Sequence, residues 1–484
     1  MDVSIGQLML RSAVSTYCCA QLSNILGSKI SYPGQSQYTT TTASYWSNQE
    51  STLQPACFLT ASTSSDVSKA VSIISHIPDC NFAIKGQTHA PAAGFANINN
   101  GVTIDMTGLS SISVNKDKSV ASVGAGASWL DVYKYLDPLG VTVAGGRNGA
   151  VGVGGLTLGG GISYFAPRVG WTCDTVVNFE IVLASGQLTN VNANSHPDLF
   201  RALKGGGNNF GVVTRFDFKT IPNGQILAGS VKQNFTHRNE VFKAFSDIAG
   251  AKHYDPYTSL VTGLLFVSAT KAWSISTTPI YTKPVLNPPV YRELLAIPST
   301  VSTLALTNLS TYAAEPATAK LNWAFFTGTY GVSVELLEKM VDSFNATMYD
   351  FNIPSGIIWS VSLEPLPTVI TSFGSKNGGN VLGTSPSDGN GFVMLLSGLW
   401  NNTASNDLVE KTASKMVNKI NGIAKGMGLL REFQYMNYAD PSQDPIGGYG
   451  KDNVEYLREM SKKYDSRGVF QTRVPGGFKL FGSR

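Results

Sequence analysis

Short apolar runs alternate with amphipathic segments over residues 56–220, and this pattern predicts a mixed fold of strands and helices. Residues 64–77 resemble a capped helix, because Asp66 can accept from the backbone and apolar side chains recur at helical spacing. Residues 176–191 predict two strands joined by a short hairpin at Ser185-Gly186. Further strands are predicted at 81–86, 101–106, 119–128 and 209–221, and further helices at 129–140 and 196–207.

The pattern changes near residue 225. Longer Ser/Thr-rich segments follow, with apolar strands between them and helices near 333–349 and 405–427. The last 60 residues contain one more helix, at 453–465. We therefore expect an α+β protein in which the middle of the chain forms a domain of its own, and we divide the sequence into 1–224, 225–424 and 425–484.

Composition narrows the class of protein. The chain has 484 residues, of which 43% are hydrophobic and 14% are charged, so we expect a large buried interior. The net charge is +4 without a dense Lys/Arg run, which disfavours a nucleic-acid partner. The sequence contains no apolar, uncharged stretch of about 18 residues, so no transmembrane helix is expected.

The cysteines and the N-x-S/T sequons favour a secreted protein. Four cysteines lie in the first 80 residues, namely Cys18, Cys19, Cys57 and Cys80. The sequons stand at Asn234, Asn308, Asn345 and Asn401. We expect a disulfide between Cys57 and either Cys18 or Cys19, with buried free thiols as the alternative. Residues 1–22 do not form a good secretory signal, so we expect that a signal was removed or lies outside this chain.

Glycine-rich turns occur at 145–146, 152–161 and 204–211. Glycine lets backbone N–H groups converge on a pyrophosphate or a flat ring, but it also serves in plain tight turns. Neither a Rossmann G-x-G-x-x-G context nor a P-loop occurs. His89 lies in a polar turn between the strands predicted at 81–86 and 101–106, and no metal ligands stand near it in sequence. A structural histidine and a nucleophilic imidazole remain as the alternatives.

Five segments of the sequence resemble flavin-dependent oxidoreductases of the vanillyl-alcohol-oxidase type, and most closely the berberine-bridge-enzyme-like branch. The segments occur in the same order as in that family. The resemblance covers nearly the whole chain. The segments are YWSNQESTLQPAC (45–57), KGQTHAPAAGFAN (85–97), GGRNGAVGVGGLTLGGGISYF (145–165), GWTCDTVVNFEIVLASG with ALKGGGNNFGVVTRF (170–186 and 202–216), and the run from YMNYAD to GVFQ (435–471).

The resemblance implies a PCMH-type FAD-binding domain in two parts and an inserted substrate domain, whose large antiparallel sheet is covered by helices. It implies that the turn Lys85-Gly86-Gln87-Thr88-His89 wraps the FAD pyrophosphate, and that His89 bonds covalently to the flavin 8-methyl carbon. In some relatives a cysteine forms a second link, but Gly152 stands at that position, so one link is expected. Gln87 and Thr88 replace glycines common in the family, and their side chains could donate to phosphate oxygens instead.

The resemblance also assigns other residues to the cofactor and to the substrate. Those expected to contact FAD are Val143, Gly145, Gly146, Gly154, Gly155, Gly159, Gly160, Gly161, Ser163, Asp174, Val176, Gly211, Val213, Tyr435 and Asn437. Tyr438 and Tyr164 are expected to face the substrate and to take part in catalysis. The catalytic base cannot be placed by motif, and Glu364 in the segment SVSLEPLP is one of several candidates.

The reaction implied is hydride transfer to FAD from a mostly apolar small-molecule alcohol or related C–H substrate, with O2 as the electron acceptor and H2O2 as the product. Within this family, the sequence resembles fungal members that modify secondary metabolites. In a solanapyrone-synthase-like subgroup, oxidation is followed by a Diels–Alder cyclisation. A carbohydrate or simple alcohol oxidase and a non-catalytic flavin-binding module are the alternatives. We expect a monomer without nucleic-acid or membrane partners.

Overall fold

The computed structural model describes residues 5–314 and 320–482 and shows an α+β protein. None of the helices within these ranges is long and apolar enough to cross a membrane. The longer helices are Ile5–Leu26, Ser36–Ala43, Ser64–His76, Trp129–Leu136, Arg238–Ala249, Val334–Met348, Asn406–Gly426 and Lys451–Tyr464. The shorter ones are Asn48–Ser51, Val153–Leu158, Ala166–Val169, Pro197–Ala202, Arg292–Ala296, Leu309–Ala313, Thr368–Thr371 and Val469–Thr472.

The first sheet has four strands, in the order Ile30–Ser31, Cys57–Thr60, Val102–Asp105 and Phe82–Lys85. The last three are parallel, so a crossover must join the strand at 57–60 to the strand at 82–85. Helix Ser64–His76 is that crossover. A capping box fixes its first turn, because the Asp66 N–H donates to the Thr63 hydroxyl and the Thr63 N–H donates to the Asp66 carboxylate. The predicted capped helix is thereby confirmed.

The second sheet has five antiparallel strands, in the order Ile112–Val114, Val120–Gly124, Val212–Lys219, Val176–Val182 and Leu188–Asn192. The hairpin predicted at 176–191 is present, and Gly186 takes φ +85° in its turn, a conformation that favours glycine. The strand predicted at 209–221 is shorter than expected. Its last part instead forms the separate strand Ile221–Pro222, which pairs with Val141–Thr142.

The third sheet is large, and all of its strand pairings are antiparallel. Helices Arg238–Ala249, Val334–Met348 and Asn406–Gly426 share one apolar core with this sheet. This arrangement confirms the large helix-covered antiparallel sheet. Its strands are Ile226–Ala228, Val231–Gln233, Thr258–Val267, Ala272–Tyr281, Ser299–Ser302, Ala305–Thr307, Asn322–Gly331, Ile358–Leu366, Gly391–Trp400 and Leu430–Arg431.

A second apolar core unites the two smaller sheets with the C-terminal residues. Side chains from the middle of the chain also join it, among them Leu309, Leu366 and Leu382, so the predicted substrate domain packs directly on the rest of the protein. The domain limits at 224 and 424 stay predictions. Two disulfides link the N-terminal helix to the region of the first sheet. Cys19–Cys57 is one of the two expected pairings, and Cys18–Cys80 is a further bridge. Cys173 is buried and forms no disulfide.

Candidate active site

The polar turn after strand Phe82–Lys85 presents a run of unused backbone donors. The N–H groups of residues 86–89 make no hydrogen bond to any described residue. Thr88 takes φ +61°, the left-handed region that a β-branched residue rarely adopts. Successive free N–H groups around such a residue form a concave site for an anion. Lys85 is not part of this donor set, because its ammonium pairs with Asp105 at 3.3 Å and both side chains are buried.

His89 lies flat against Trp46. The ring centroids are 4.2 Å apart and the planes are inclined by 18°. Burial lowers the pKa of His89 to about 4, so the imidazole is neutral at physiological pH and keeps a nucleophilic nitrogen lone pair. The histidine is therefore chemically suited to a covalent link, which stays a prediction.

Gln87 packs over Gly152, the position at which the resemblance implied a second link in some relatives. A Cβ on Gly152 would lie 3.1 Å from the Gln87 Cβ and from its backbone nitrogen. The Gln87 side chain turns inward, and its amide donates to the Gly126 carbonyl at 2.7 Å. The Gln87 amide is therefore engaged within the protein, whereas the expected donation to phosphate stays a prediction.

Tyr435 and Asn437, near the C-terminus, form hydrogen bonds to the glycine-rich segment at 145–165. The Tyr435 hydroxyl accepts from the Ile162 N–H at 2.9 Å, and the Asn437 amide donates to the Leu156 carbonyl and to the Tyr435 hydroxyl, each at 3.0 Å. A Cβ on Gly159 would collide with the Asn437 amide. The chain thus brings together Tyr435, Asn437 and Gly159, which the sequence analysis assigned to one site.

The rest of the glycine-rich segment at 145–165 includes the short helix Val153–Leu158 and ends just before the short helix Ala166–Val169. Gly154 and Gly155 lie within helix Val153–Leu158, and the Ser163 hydroxyl accepts from the Phe165 N–H before the next helix. Gly160 and Gly161 have φ +104° and +86°, so the chain can reverse there only because both residues lack a Cβ.

Gly145 and Gly146 serve packing in this structure. A Cβ on either would overlap the Trp129 ring, and the Tyr133 hydroxyl donates to the Gly146 carbonyl at 2.6 Å. Val143 is buried beside them. The two glycines let the loop lie close to the Trp129 ring and place the next residue, Arg147, in the candidate site.

The residues expected at the adenine end contact protein groups, and the strand register places Val176 and Val213 at opposite ends of their paired strands. Both Asp174 carboxylate oxygens accept within the chain, one from the Asn380 amide at 2.8 Å and one from the Trp171 N–H at 2.9 Å. Burial raises the pKa of Asp174 to about 6. Val176 and Val213 are buried on neighbouring strands, and a Cβ on Gly211 would lie 2.6 Å from the Val182 carbonyl. Contact of these residues with adenosine stays a prediction.

Arg147, Glu364 and Tyr438 form a buried hydrogen-bonded cluster. Arg147 Nη2 lies 2.7 Å from Glu364 Oε1 and 2.6 Å from the Tyr438 hydroxyl, which itself donates to Glu364 Oε1 at 2.9 Å. Glu364 is 3% exposed, and its Oε2 has no hydrogen-bond partner among the described residues. A buried carboxylate that accepts from a phenol through Oε1 and keeps Oε2 unpaired is a candidate proton acceptor.

The protonation states in this cluster follow from burial and from charge. Burial alone would lower the pKa of Arg147, but the Glu364 carboxylate more than offsets this effect, so the guanidinium stays charged. Burial raises the pKa of Tyr438 well above its ordinary range, so the phenol stays protonated. Tyr164 is also buried, and its hydroxyl donates to the Arg147 carbonyl at 3.3 Å, so it supports the arginine rather than the carboxylate.

A row of aromatic rings joins the His89 turn to this cluster. Trp46 stacks on Trp323 with centroids 4.4 Å apart, Trp323 contacts Phe325 at 6.1 Å, and Phe325 meets Tyr438 edge-to-face at 6.3 Å. Trp323 and Phe325 are two positions apart on strand Asn322–Gly331, so both side chains point to the same face of the large sheet. A small polar cavity borders the cluster on another side, lined by Glu364, Arg147, Ser163, Tyr254 and Thr258 among others.

The residues around the His89 turn fit FAD. The free N–H groups at 86–89 suit a pyrophosphate. A Cβ on Gly86 or on Gly155 would meet nothing within 4 Å, so there is room beside both glycines. Trp171 Nε1 and Thr172 Oγ1 are buried near Gly161 and have no partner within the described chain, which leaves a donor and a hydroxyl for a bound group.

Sequence reasoning missed Arg147, Trp46 and Trp323 and did not choose Glu364. Arg147 and Trp46 stood inside segments quoted for the resemblance, but neither carries a motif role that could be read from one chain. Glu364 interrupts an apolar strand, and a charged residue inside a buried strand was the available signal.

The fold and this site define a flavin-dependent oxidoreductase. A family profile described as an FAD binding domain matches residues 55–192. The "FAD-dependent monooxygenase drtC" of Aspergillus calidoustus is 34% identical, covering 97% of this chain and 91% of the relative. The "FAD-dependent monooxygenase FUP4" of Fusarium proliferatum is 36% identical, covering 90% and 87%. The chain belongs to the family of FAD-linked oxidoreductases with a PCMH-type FAD-binding domain.

Solved structures share the fold at low sequence identity. The wild-type BBE-like 1 protein of Physcomitrella patens matches with a TM-score of 0.75 and 19% identity, over 96% of this chain and 99% of that one. A xylooligosaccharide oxidase from Myceliophthora thermophila C1 matches with a TM-score of 0.78 and 17% identity, again over 96% and 99%.

Proposed function

We propose that the protein is an oxidase that removes a hydride and a proton from a hydroxyl-bearing carbon of a mostly apolar small molecule. The observation that carries this proposal is the buried cluster of Arg147, Glu364 and Tyr438 at the end of an aromatic row that starts at His89. A proton acceptor and the predicted flavin anchor thus lie at the two ends of one row of contacting rings.

The cluster can take the proton from a substrate hydroxyl in two coupled transfers. The substrate proton passes to the Tyr438 oxygen, while the Tyr438 proton passes to Glu364 Oε1 along the existing hydrogen bond of 2.9 Å. Arg147 holds both oxygens in place and stabilises negative charge on either. Tyr438 therefore acts as relay and Glu364 as base, while Tyr164 supports Arg147 through its backbone carbonyl.

The wall formed by Trp323 and Phe325 suits an apolar and flat substrate. Both rings are partly exposed on the face of the large sheet, between Trp46 and Tyr438. Aromatic faces bind apolar groups without supplying the many hydrogen bonds that a sugar needs. A carbohydrate substrate is the alternative that the test below separates.

The residues of the His89 turn are proposed to hold the FAD pyrophosphate and one covalent link. When bound, FAD supplies the acceptor for two electrons, which O2 then removes to give H2O2. A covalent link would be held by His89: a C–N bond would replace one C–H bond of the 8-methyl group and the imidazole N–H, and O2 would accept the two hydrogens with their electrons as H2O2.

Anaerobic mixing tests the proposed activity. Benzyl alcohol and longer allylic and aliphatic primary alcohols are offered to the purified protein, with cellobiose as the carbohydrate probe. We expect apolar alcohols to bleach the flavin and, in air, to yield one H2O2 per aldehyde formed. Bleaching by cellobiose alone would instead favour the carbohydrate oxidase, and no bleaching by any probe would favour the non-catalytic module.

Monooxygenation is a second candidate, favoured by the names of the fungal relatives. It inserts one atom of O2 into the substrate and consumes an external two-electron reductant such as NADPH. Isotope labelling separates the two reactions, because ¹⁸O from labelled O2 enters the product only in monooxygenation. An oxidase leaves all label in H2O2.

The cellular setting proposed is the secretory pathway and the tailoring of fungal secondary metabolites, with a cyclisation of the oxidised product as a further step. The two disulfides and the exposed sequons Asn234, Asn308 and Asn401 support secretion. Asn345 is less suited to carry a glycan, because it is half-buried within helix Val334–Met348. Glycosidase treatment followed by gel mobility checks the assignment.

A further inference from the structure

The segment Tyr45-Trp46-Ser47-Asn48-Gln49-Glu50 lies between the His89 turn and the large sheet. Trp46 is stacked on both faces, by His89 at 4.2 Å and 18° and by Trp323 at 4.4 Å and 26°. The first ring belongs to the turn proposed to anchor FAD, and the second belongs to the proposed substrate wall. One side chain therefore contacts both functional parts.

Hydrogen bonds fix the segment to the loop that follows His89. The Trp46 N–H donates to the Thr88 hydroxyl at 3.0 Å, and the Ser47 hydroxyl donates to the Pro91 carbonyl at 2.9 Å. The Glu50 carboxylate is fully buried and accepts from the N–H groups of Gly94 and Ala96 at 3.2 and 2.6 Å. The whole loop from Thr88 to Ala96 is thus held by this segment.

Other bonds fix the same segment to the edge of the large sheet. The Asn48 N–H donates to the Leu321 carbonyl at 3.0 Å. The Gln49 side chain pairs with the backbone of Trp323 twice, donating to its carbonyl at 2.6 Å and accepting from its N–H at 3.2 Å. These bonds imitate the pairing of an added strand and set the position of the Trp323 ring.

We propose that Trp46 is a positioning residue for His89, and that the segment at 45–50 couples the flavin anchor to the substrate wall. The inference rests on the proposed covalent link through His89. Trp46, itself stacked on Trp323, restricts the His89 imidazole to one plane. The hydrogen bond from the Trp46 N–H to the Thr88 hydroxyl fixes the neighbouring turn. Since bond formation requires a narrow range of approach, a misplaced imidazole reacts slowly even when FAD is bound.

The test follows covalent attachment rather than turnover. FAD is added to the FAD-depleted full chain, and intact mass reports the fraction of chains carrying FAD over time, while absorbance reports total bound FAD. Trp46→Leu removes the stack and Trp46→Phe keeps a ring. We expect Trp46→Leu to slow attachment about 10- to 100-fold with total FAD unchanged, and Trp46→Phe to restore most of the rate.

Gln49→Ala provides a second variant that leaves Trp46 itself intact. It loosens the Trp323 backbone, so we expect slower attachment than in wild type but faster than in Trp46→Leu. Attachment at the wild-type rate in Trp46→Leu would overturn the positioning role. Were Trp46→Leu to unfold, attachment at the wild-type rate in Gln49→Ala would overturn it instead. A wild-type chain that never gains the mass of FAD would defeat the proposed link, a separate failure.

Discussion

His89 and Glu364 stand at opposite ends of one row of aromatic rings, and their surroundings differ in charge and in origin. His89 is neutral, stacked on the indole of Trp46, and its turn is held by a hydrogen bond between residues 42 positions apart. Glu364 is paired with a guanidinium and a phenol that lie 217 and 74 residues away. The comparison suggests that attachment of the cofactor depends on one turn and the segment at 45–50 that holds it, whereas catalysis depends on the packing of three distant segments.

Removing the anchor should give the largest change. His89→Ala eliminates the only proposed attachment point, so we expect covalent FAD to fall from full occupancy to none. Non-covalent FAD should remain, because the N–H groups of the turn are untouched. Acid precipitation measures both, since only a covalent flavin stays with the pellet. His76→Ala is the matched control, because His76 is exposed at the end of a helix. Covalent flavin in the His89 variant would contradict the assignment.

Removing the base should leave the cofactor attached but stop turnover. Glu364→Gln keeps the size of the side chain but cannot accept the proton, so we expect kcat to fall by about 10²- to 10⁴-fold. Thermal stability should fall as well, because Arg147 loses its buried counter-ion. Glu335→Gln is the control, since its pair with Lys339 is exposed. Unchanged kcat in Glu364→Gln would separate this cluster from the reaction.

Removing the relay should have a smaller effect. Tyr438→Phe deletes the hydroxyl that joins substrate and Glu364, and the loss of a hydrogen bond to a charged group corresponds to about 10- to 100-fold in kcat. The edge contact with Phe325 should persist, so we expect the stability to change little. Tyr17→Phe is an exposed control. Unchanged kcat in Tyr438→Phe would contradict the relay role.

The pH dependence should change least. Because burial lowers the pKa of His89 to about 4 from 6.5, its neutral form dominates at every pH above about 5. The initial rate of covalent attachment should therefore be nearly flat from pH 8 to pH 5 and should fall only as pH approaches 4. Intact mass after short incubations provides the measurement. A midpoint near 6.5 would show an imidazole exposed to water.

The sequence located the turn that carries His89 better than the cluster around Glu364, for a physical reason. The Lys85–His89 turn is contiguous, and its flanking strands and capped helix follow from local patterns. The stack of Trp46 on His89 and the pairing of Arg147 with Glu364 depend on how separate segments dock, which periodicity along one segment does not record. Thr88 adds a different case, since its left-handed backbone is set by the surrounding fold rather than by its own preference.

The larger fold was predictable to a similar degree. Sequence patterns located strands of the first and second sheets, the strands of the third sheet were expected without bounds, and the disulfide to Cys57 was expected. The order of strands in the large sheet and the Cys18–Cys80 bridge arise from long-range pairing and could not be read from the chain.

The most direct test of the account is the intact mass of the purified wild-type protein, followed by peptide mapping. We predict a chain heavier by one FAD, less the two hydrogens lost on attachment, with the flavin on the peptide that contains His89. A chain with the mass of the polypeptide alone, or a flavin carried by any other residue, would contradict the assignment of His89 as the anchor.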